Sequence, residues 1–136
     1  MEKLHLEVIT PEKVIVNEDV ESVVATGSLG EFGIFLEHIP FLSVIIPGEL
    51  RYTTGDKTDS LAVTSGFAEV SNNKVSVLVD AAEKPHDIDL ERSHRAIKRA
   101  KERLAKDRGT EDIDFQRAEA ALKRAIARIK VAEKAR

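Results

Sequence analysis

The chain has 136 residues, 42% hydrophobic and 33% charged, a formal net charge of −3 and no cysteine. That is enough for one medium domain or two small units, and it excludes disulfides, thiolate zinc sites and cysteine nucleophiles. Aromatics make up 4% and tryptophan is absent, too few rings for a platform that stacks single-stranded nucleic acid.

The longest apolar runs fall well short of the about 20 residues that cross a bilayer. The opening MEKLHLEVITPE lacks a signal-peptide pattern, so the chain is expected to be soluble. None of His5, His38, His86 and His94 falls in an H-E-x-x-H or related metal spacing, and no metal site is expected.

Read in chain order, the first part alternates. Leu4, Leu6 and Val8 share one face of an expected strand, with His5 and Glu7 on the other. Further β-rich runs are Val14–Val16, Val20–Ala25, Leu61–Thr64, Phe67–Val70 and Val75–Val79. Thr10-Pro11, Gly27-Ser28, Pro47-Gly48, Gly55-Asp56 and Asn72-Asn73 separate them as turns. Many short strands at this spacing predict a β-sandwich or barrel, and Asn72-Asn73 predicts a tight hairpin. His5 is expected on the exposed face of an edge strand.

The stretch Gly27-Ser28-Leu29-Gly30-Glu31-Phe32-Gly33 fits neither G-x-G-x-x-G nor a Walker A loop, and reads as strand turns.

Near Asp87 the period changes. Leu90, Ser93, Ile97, Ala100 and Leu104 follow a 3/4 spacing, then a break at Asp107-Arg108-Gly109-Thr110. Phe115, Ala118, Leu122, Ala125, Ile129 and Ala132 repeat the spacing. These are the seams of two helices, with small residues at alternate seam positions that let the backbones approach. The expected fold class is therefore α+β in two units: an N-terminal β-sandwich over residues 1–86 and a C-terminal antiparallel two-helix hairpin over residues 87–136. A two-helix unit with one narrow apolar stripe is marginal alone and is expected to depend on docking.

The two units carry opposite charge. Residues 87–136 hold 15 Lys and Arg against 10 Asp and Glu, and residues 1–86 hold 6 against 14. The parts should differ in their partners and could attract one another.

The segment Gly30-Glu31-Phe32-Gly33-Ile34-Phe35-Leu36-Glu37-His38-Ile39-Pro40 resembles the G-E-x-G-I-L-P-G-H-x-P stretch of the F-type ATP synthase epsilon subunit. Thr10-Pro11 fits the same family, and Ser65-Gly66-Phe67-Ala68-Glu69-Val70 is similar to its S-G-G-F-x-E-V. Two departures are Phe35-Leu36-Glu37 in place of L-P-G, and Thr64 near the place of a family glycine.

The resemblance implies a non-catalytic central-stalk subunit of a rotary proton-translocating ATP synthase, on the cytoplasmic face of the cell membrane as a peripheral protein. Its β unit would bind the gamma subunit and rest on the c-ring, with Glu31 and His38 near that contact. Its hairpin would extend toward the alpha and beta subunits and block ATP hydrolysis.

Ile88-Asp89-Leu90-Glu91-Arg92-Ser93 also resembles the I/L-D-x-x-R-A motif that marks ATP binding in bacterial members of this family. By that resemblance, ATP, with or without Mg, would be a regulatory ligand of Glu83, Ile88, Asp89, Arg92, Arg99, Arg124 and Arg128. Arg92 and Arg99 are seven apart and Arg124 and Arg128 four apart, so each pair shares a helix face. Four guanidinium groups can offset a triphosphate. The plain alternative is that Asp89 only caps a helix and the arginines form a solvated face. A nucleic-acid-binding module on the basic hairpin is a rival reading, opposed by the interspersed acids. A small enzyme using Glu83 and Asp89 has no nucleophile, base or metal constellation.

Overall fold

The computed structural model describes residues 3–106 and 112–134. Ten strands come first: β1 Leu4–Ile9, β2 Val14–Val20, β3 Ser22–Gly27, β4 Gly30–Phe35, β5 Phe41–Ile45, β6 Gly48–Thr54, β7 Lys57–Val63, β8 Gly66–Ser71, β9 Lys74–Val79 and β10 Ala82–Glu83. A 3-10 turn at Pro85–Asp87 leads into helix α1, Leu90–Lys106, and then helix α2, Asp112–Lys134. The break expected at Asp107–Thr110 lies outside the described residues.

The strands form one continuous sheet in the order β10-β7-β6-β3-β5-β8-β9-β1-β2, with β4 paired to β3. It folds over on itself into a sandwich. Leu4, Leu6 and Val20 from one end share a single core with Leu50, Leu61 and Val63 from the other. β3 is the corner: Ser22–Val24 pair with β6, and Gly27 pairs with Ile45 of β5. All pairings are antiparallel except β1 with β9.

The alternation read in β1 is realised, with Leu4, Leu6 and Val8 fully buried. The Asn72-Asn73 turn is a tight hairpin whose two residues have φ of 50° and 60°, the left-handed pair that such a turn requires. Gly66 is fixed for a steric reason. A Cβ there would sit 1.9 Å from the Leu78 carbonyl oxygen on the paired strand, so no side chain fits.

Several expectations need correction. The single run Val20–Ala25 divides at Glu21, where β2 ends and β3 begins. β4, β5, β6 and the two-residue β10 lie outside the expected strands; in β4 Phe35 is exposed, in β5 Leu42 and Val44 are exposed with Ser43 facing in between them, and in β6 Glu49 is buried, so polarity does not follow burial there. His5 does lie on an outer face, but β1 is flanked by β9 and β2, so it is not an edge strand. Its ring bridges Asp19 at 2.9 Å and Asn17 at 2.5 Å on β2, and Asp19 foremost raises its pKa.

The helices pack as an antiparallel hairpin, and the small seam residues make the close contact. Ser93, Ala100, Ala118, Ala125 and Ala132 are buried, while Ile97, Leu104, Leu122 and Ile129 are half-buried beside them. α2 also has a second buried stripe that the single expected seam did not include: Ala127 and Val131. This stripe meets the outer side of the sheet, where α2 contacts β6 and β7. Ala62 of β7, Ile88, Val131 and Ala132 form a small apolar cluster of their own, with Leu90 against it. The hairpin is thus docked, α2 inward and α1 outward.

Candidate functional site

The segment from β10 to the first turn of α1 lies where sandwich and hairpin meet. Asp89 caps α1: the Arg92 backbone N–H donates to its Oδ1 at 3.1 Å. Ser93 is tied to the same residue, its N–H and its hydroxyl donating to the Asp89 carbonyl at 3.1 and 3.0 Å. Small size and a local partner explain how Ser stands at this tight seam position. Ile88 is 4% exposed and packs on Ala62 and Val131. In this arrangement its side chain fills the hairpin–sheet junction.

Glu83 and Arg128 are brought together across the two units. Arg128 Nε donates to Glu83 Oε1 at 2.5 Å, with both side chains about a third exposed. Beside them opens a cleft of about 500 Å³ lined by residues of both signs, among them Glu12, Lys13, Lys84 and Asp87, within the size range of small-ligand sites.

Ala96, Arg99, Ala100 and Arg103 of α1 line a groove with Ala118 and Ala121 of α2. By helical spacing Arg92 lies on the stripe of Ala96 and Arg99, and Arg124 and Arg128 on that of Ala121. All four arginines therefore border one side of the helix pair. Among the described residues, no carboxylate lies within ion-pairing distance of Arg92, Arg99 or Arg124.

Glu31 and His38 lie elsewhere, on β4 and in the loop after it. Glu31 pairs with Arg51 at 3.1 Å. The His38 ring meets the Ile39 carbonyl oxygen through Nδ1 at 2.8 Å and stands edge-on to Phe41. Both sequence departures have a local explanation. Glu37 has a φ of 63°, a glycine-like conformation, and its N–H donates to Asn73 Oδ1 at 2.7 Å. Thr64 exchanges bonds with Ala81: its Oγ1 accepts from the Ala81 N–H at 2.9 Å and its N–H donates to the Ala81 carbonyl at 3.1 Å.

Sequence reasoning missed an apolar row. Val44, Phe67 and Leu78 are paired neighbours on β5, β8 and β9 and are 47%, 55% and 50% exposed. Leu42 adds to it at 70% exposed. The signal was present in Phe67-Ala68-Glu69-Val70: with Ala68 and Val70 inward, the largest side chain points out.

The molecule is thus a β-sandwich with an outward apolar row and a docked helical hairpin bordered by arginines. Residues 3–85 match the family described as "ATP synthase, Delta/Epsilon chain, beta-sandwich domain", and residues 86–133 match "ATP synthase, Delta/Epsilon chain, long alpha-helix domain". The chain belongs to the ATP synthase delta/epsilon chain family.

The ATP synthase epsilon chain of Syntrophobacter fumaroxidans is 48% identical over 133 residues, 98% of each chain. That of Nitratidesulfovibrio vulgaris strain DP4 is 50% identical over 107 residues, 78% of this chain and 80% of that one. A chain of the Euglena gracilis mitochondrial ATP synthase, from a structure of OSCP, F1 and c-ring, superposes with a TM-score of 0.78 at 24% identity, covering 98% of this chain and 81% of that chain, and shares the fold.

Proposed function

We propose that this epsilon chain couples proton flow to ATP synthesis in the central stalk and restrains ATP hydrolysis through a nucleotide-sensing hairpin. Membership of the family makes it a non-catalytic subunit of a membrane-associated ATP synthase, and no described helix is long and apolar enough to cross a membrane. Its place is the cytoplasmic face of the cell membrane, held there through the complex.

The gamma subunit takes the outward apolar row of Val44, Phe67 and Leu78, adjacent exposed apolar side chains of the kind that mark interaction sites. The c-ring meets the loop after β4 that carries His38; Glu31, near the opposite end of β4 beside Arg51, lies apart from that loop. The extended hairpin reaches the alpha and beta subunits, its basic side suited to an acidic surface there.

The observation that carries the nucleotide reading is the arginine-lined side of the hairpin beginning at the Asp89 cap, with Arg128 already tied to Glu83 across the junction. ATP phosphates would bind Arg92, Arg99, Arg124 and Arg128, and the adenine would lie near Asp89 and the backbone at Ile88. An anion shared by both helices favours the docked arrangement by mass action. Mg would come with the phosphates. The nucleic-acid reading gains no support from the relatives, which are ATP synthase chains.

Calorimetric titration of the full chain with ATP, beside Arg92→Ala and Asp89→Ala, tests the site. Saturable binding lost in Arg92→Ala is expected, and absent binding in the parent refutes it. Equal hydrolysis rates of the complex with and without residues 87–136 would sink the inhibitory role.

A further inference from the structure

We propose that Lys134 and the buried carboxylate of Glu49 form a clasp that holds the end of the hairpin on the sandwich, separate from the nucleotide side. The proposal rests on the reading of the hairpin as a movable arm. Glu49, on β6 beneath α2, is 2% exposed. Lys134 Nζ straddles it, 2.7 Å from Oε2 and 2.9 Å from Oε1. Only the Oε1 contact has hydrogen-bond geometry; Oε2 is held by charge alone. Arg51 donates to Oε1 at 2.9 Å and also reaches Glu31 at 3.1 Å.

The two cations differ in one respect. Arg51 belongs to the same strand as Glu49 and accompanies it in every arrangement. Lys134 belongs to α2 and is present only when the hairpin is docked. A carboxylate this deeply buried needs full neutralisation, and Arg51 is divided between two acids. Docking therefore completes the neutralisation of Glu49, and undocking returns it to water.

Helix polarity reinforces the requirement. The last turn of α2 presents carbonyl oxygens with partial negative charge, which would oppose a buried carboxylate. Lys134, in that last turn, reverses the sign. Lys123 and Lys130 line the adjoining groove opposite Glu31 and Glu49, so the acidic sandwich and the basic hairpin meet along this seam. Nothing in it overlaps the arginine side of the helix pair.

The test uses the full chain without nucleotide. Hydrogen exchange of α2 amides, or a fluorescence-transfer pair across the β6–α2 junction, reads the docked fraction. Lys134→Met keeps the aliphatic stem at a position 48% exposed, so folding of the sandwich is not at risk. It should lower the docked-to-undocked ratio about tenfold, the effect of losing one charged hydrogen bond. In a Glu49→Gln background the same substitution should have no further effect, and Lys134→Arg should restore docking.

An unchanged ratio in Lys134→Met, or an equal loss in both backgrounds, overturns the clasp. A parent chain that fails to bind ATP refutes the nucleotide reading and leaves this result standing.

Discussion

Ile88→Ala should release the hairpin while leaving the sandwich folded. Ile88 is 4% exposed and belongs to the small cluster with Ala62, Val131 and Ala132, apart from the main core. The substitution removes three carbon atoms, worth about 2.5 kcal/mol at roughly 0.8 kcal/mol per buried methylene. The site lies at a junction between two units, where the helices can settle or water can enter, so little cavity cost is added and the total stays near the low end of large-to-small changes. At 1.4 kcal/mol per factor of ten, the docked arrangement should weaken by roughly 60-fold.

Native-state hydrogen exchange is the assay. Protection of α1 and α2 amides should fall by up to that factor, while amides of β8 and β9 keep theirs. Parallel loss of protection in β8 and β9 would show that the junction is part of the sandwich core. Unchanged protection in both helices would show that the cluster does not hold the hairpin down.

The remaining expectations concern the cap, the sheet and acid. Asp89→Ala should cost α1 about 1 kcal/mol without nucleotide, because the Arg92 N–H loses its acceptor at 3.1 Å; Asp89→Asn should cost only a few tenths, and far-ultraviolet circular dichroism with urea separates the two. Gly66→Ala should abolish folding of the sandwich, since its Cβ would meet the Leu78 carbonyl oxygen at 1.9 Å; a cooperative thermal transition near that of the parent would contradict this. Acid should lift the hairpin before the sandwich unfolds. Burial pushes the Glu49 pKa up, but Lys134 and then Arg51 outweigh it and hold the carboxyl below its ordinary range. The charged groups facing it are Arg51 on its own strand, Lys134 with Lys123 and Lys130 on α2 and, through Arg51, Glu31 on β4. Its contribution to docking is therefore full above the usual carboxylate pKa and lost as pH falls through the depressed value. Docking that is constant with pH down to the acid unfolding of the sandwich would refute the sign.

Local chemistry was enough for much of this molecule. Alternation in Leu4, Leu6 and Val8 placed a strand and its buried face, because side chains two apart must share a side. Asn72-Asn73 announced a hairpin, because few residues tolerate two left-handed conformations in succession. The switch to a 3/4 spacing at Leu90 marked a helix pair, and Asp89 its cap. The motifs around Gly30–Pro40 and Ile88–Ser93 carried the family and named the residues of the candidate nucleotide side.

Other features depended on contacts between residues distant in the chain. Whether the opposite charges of the two parts would meet was open until Lys134 was found on Glu49, 85 residues away. Arg128 and Glu83, 45 residues apart, pair for the same reason. Glu49, in Pro47-Gly48-Glu49-Leu50, looks like any surface acid after a turn; only α2 lying over β6 buries it. The second stripe of α2 is likewise hidden in sequence, because Ala127 and Val131 are ordinary helix residues until a sheet is placed beneath them. Burial and pairing are properties of neighbours, and periodicity names a residue's face without naming what lies against it.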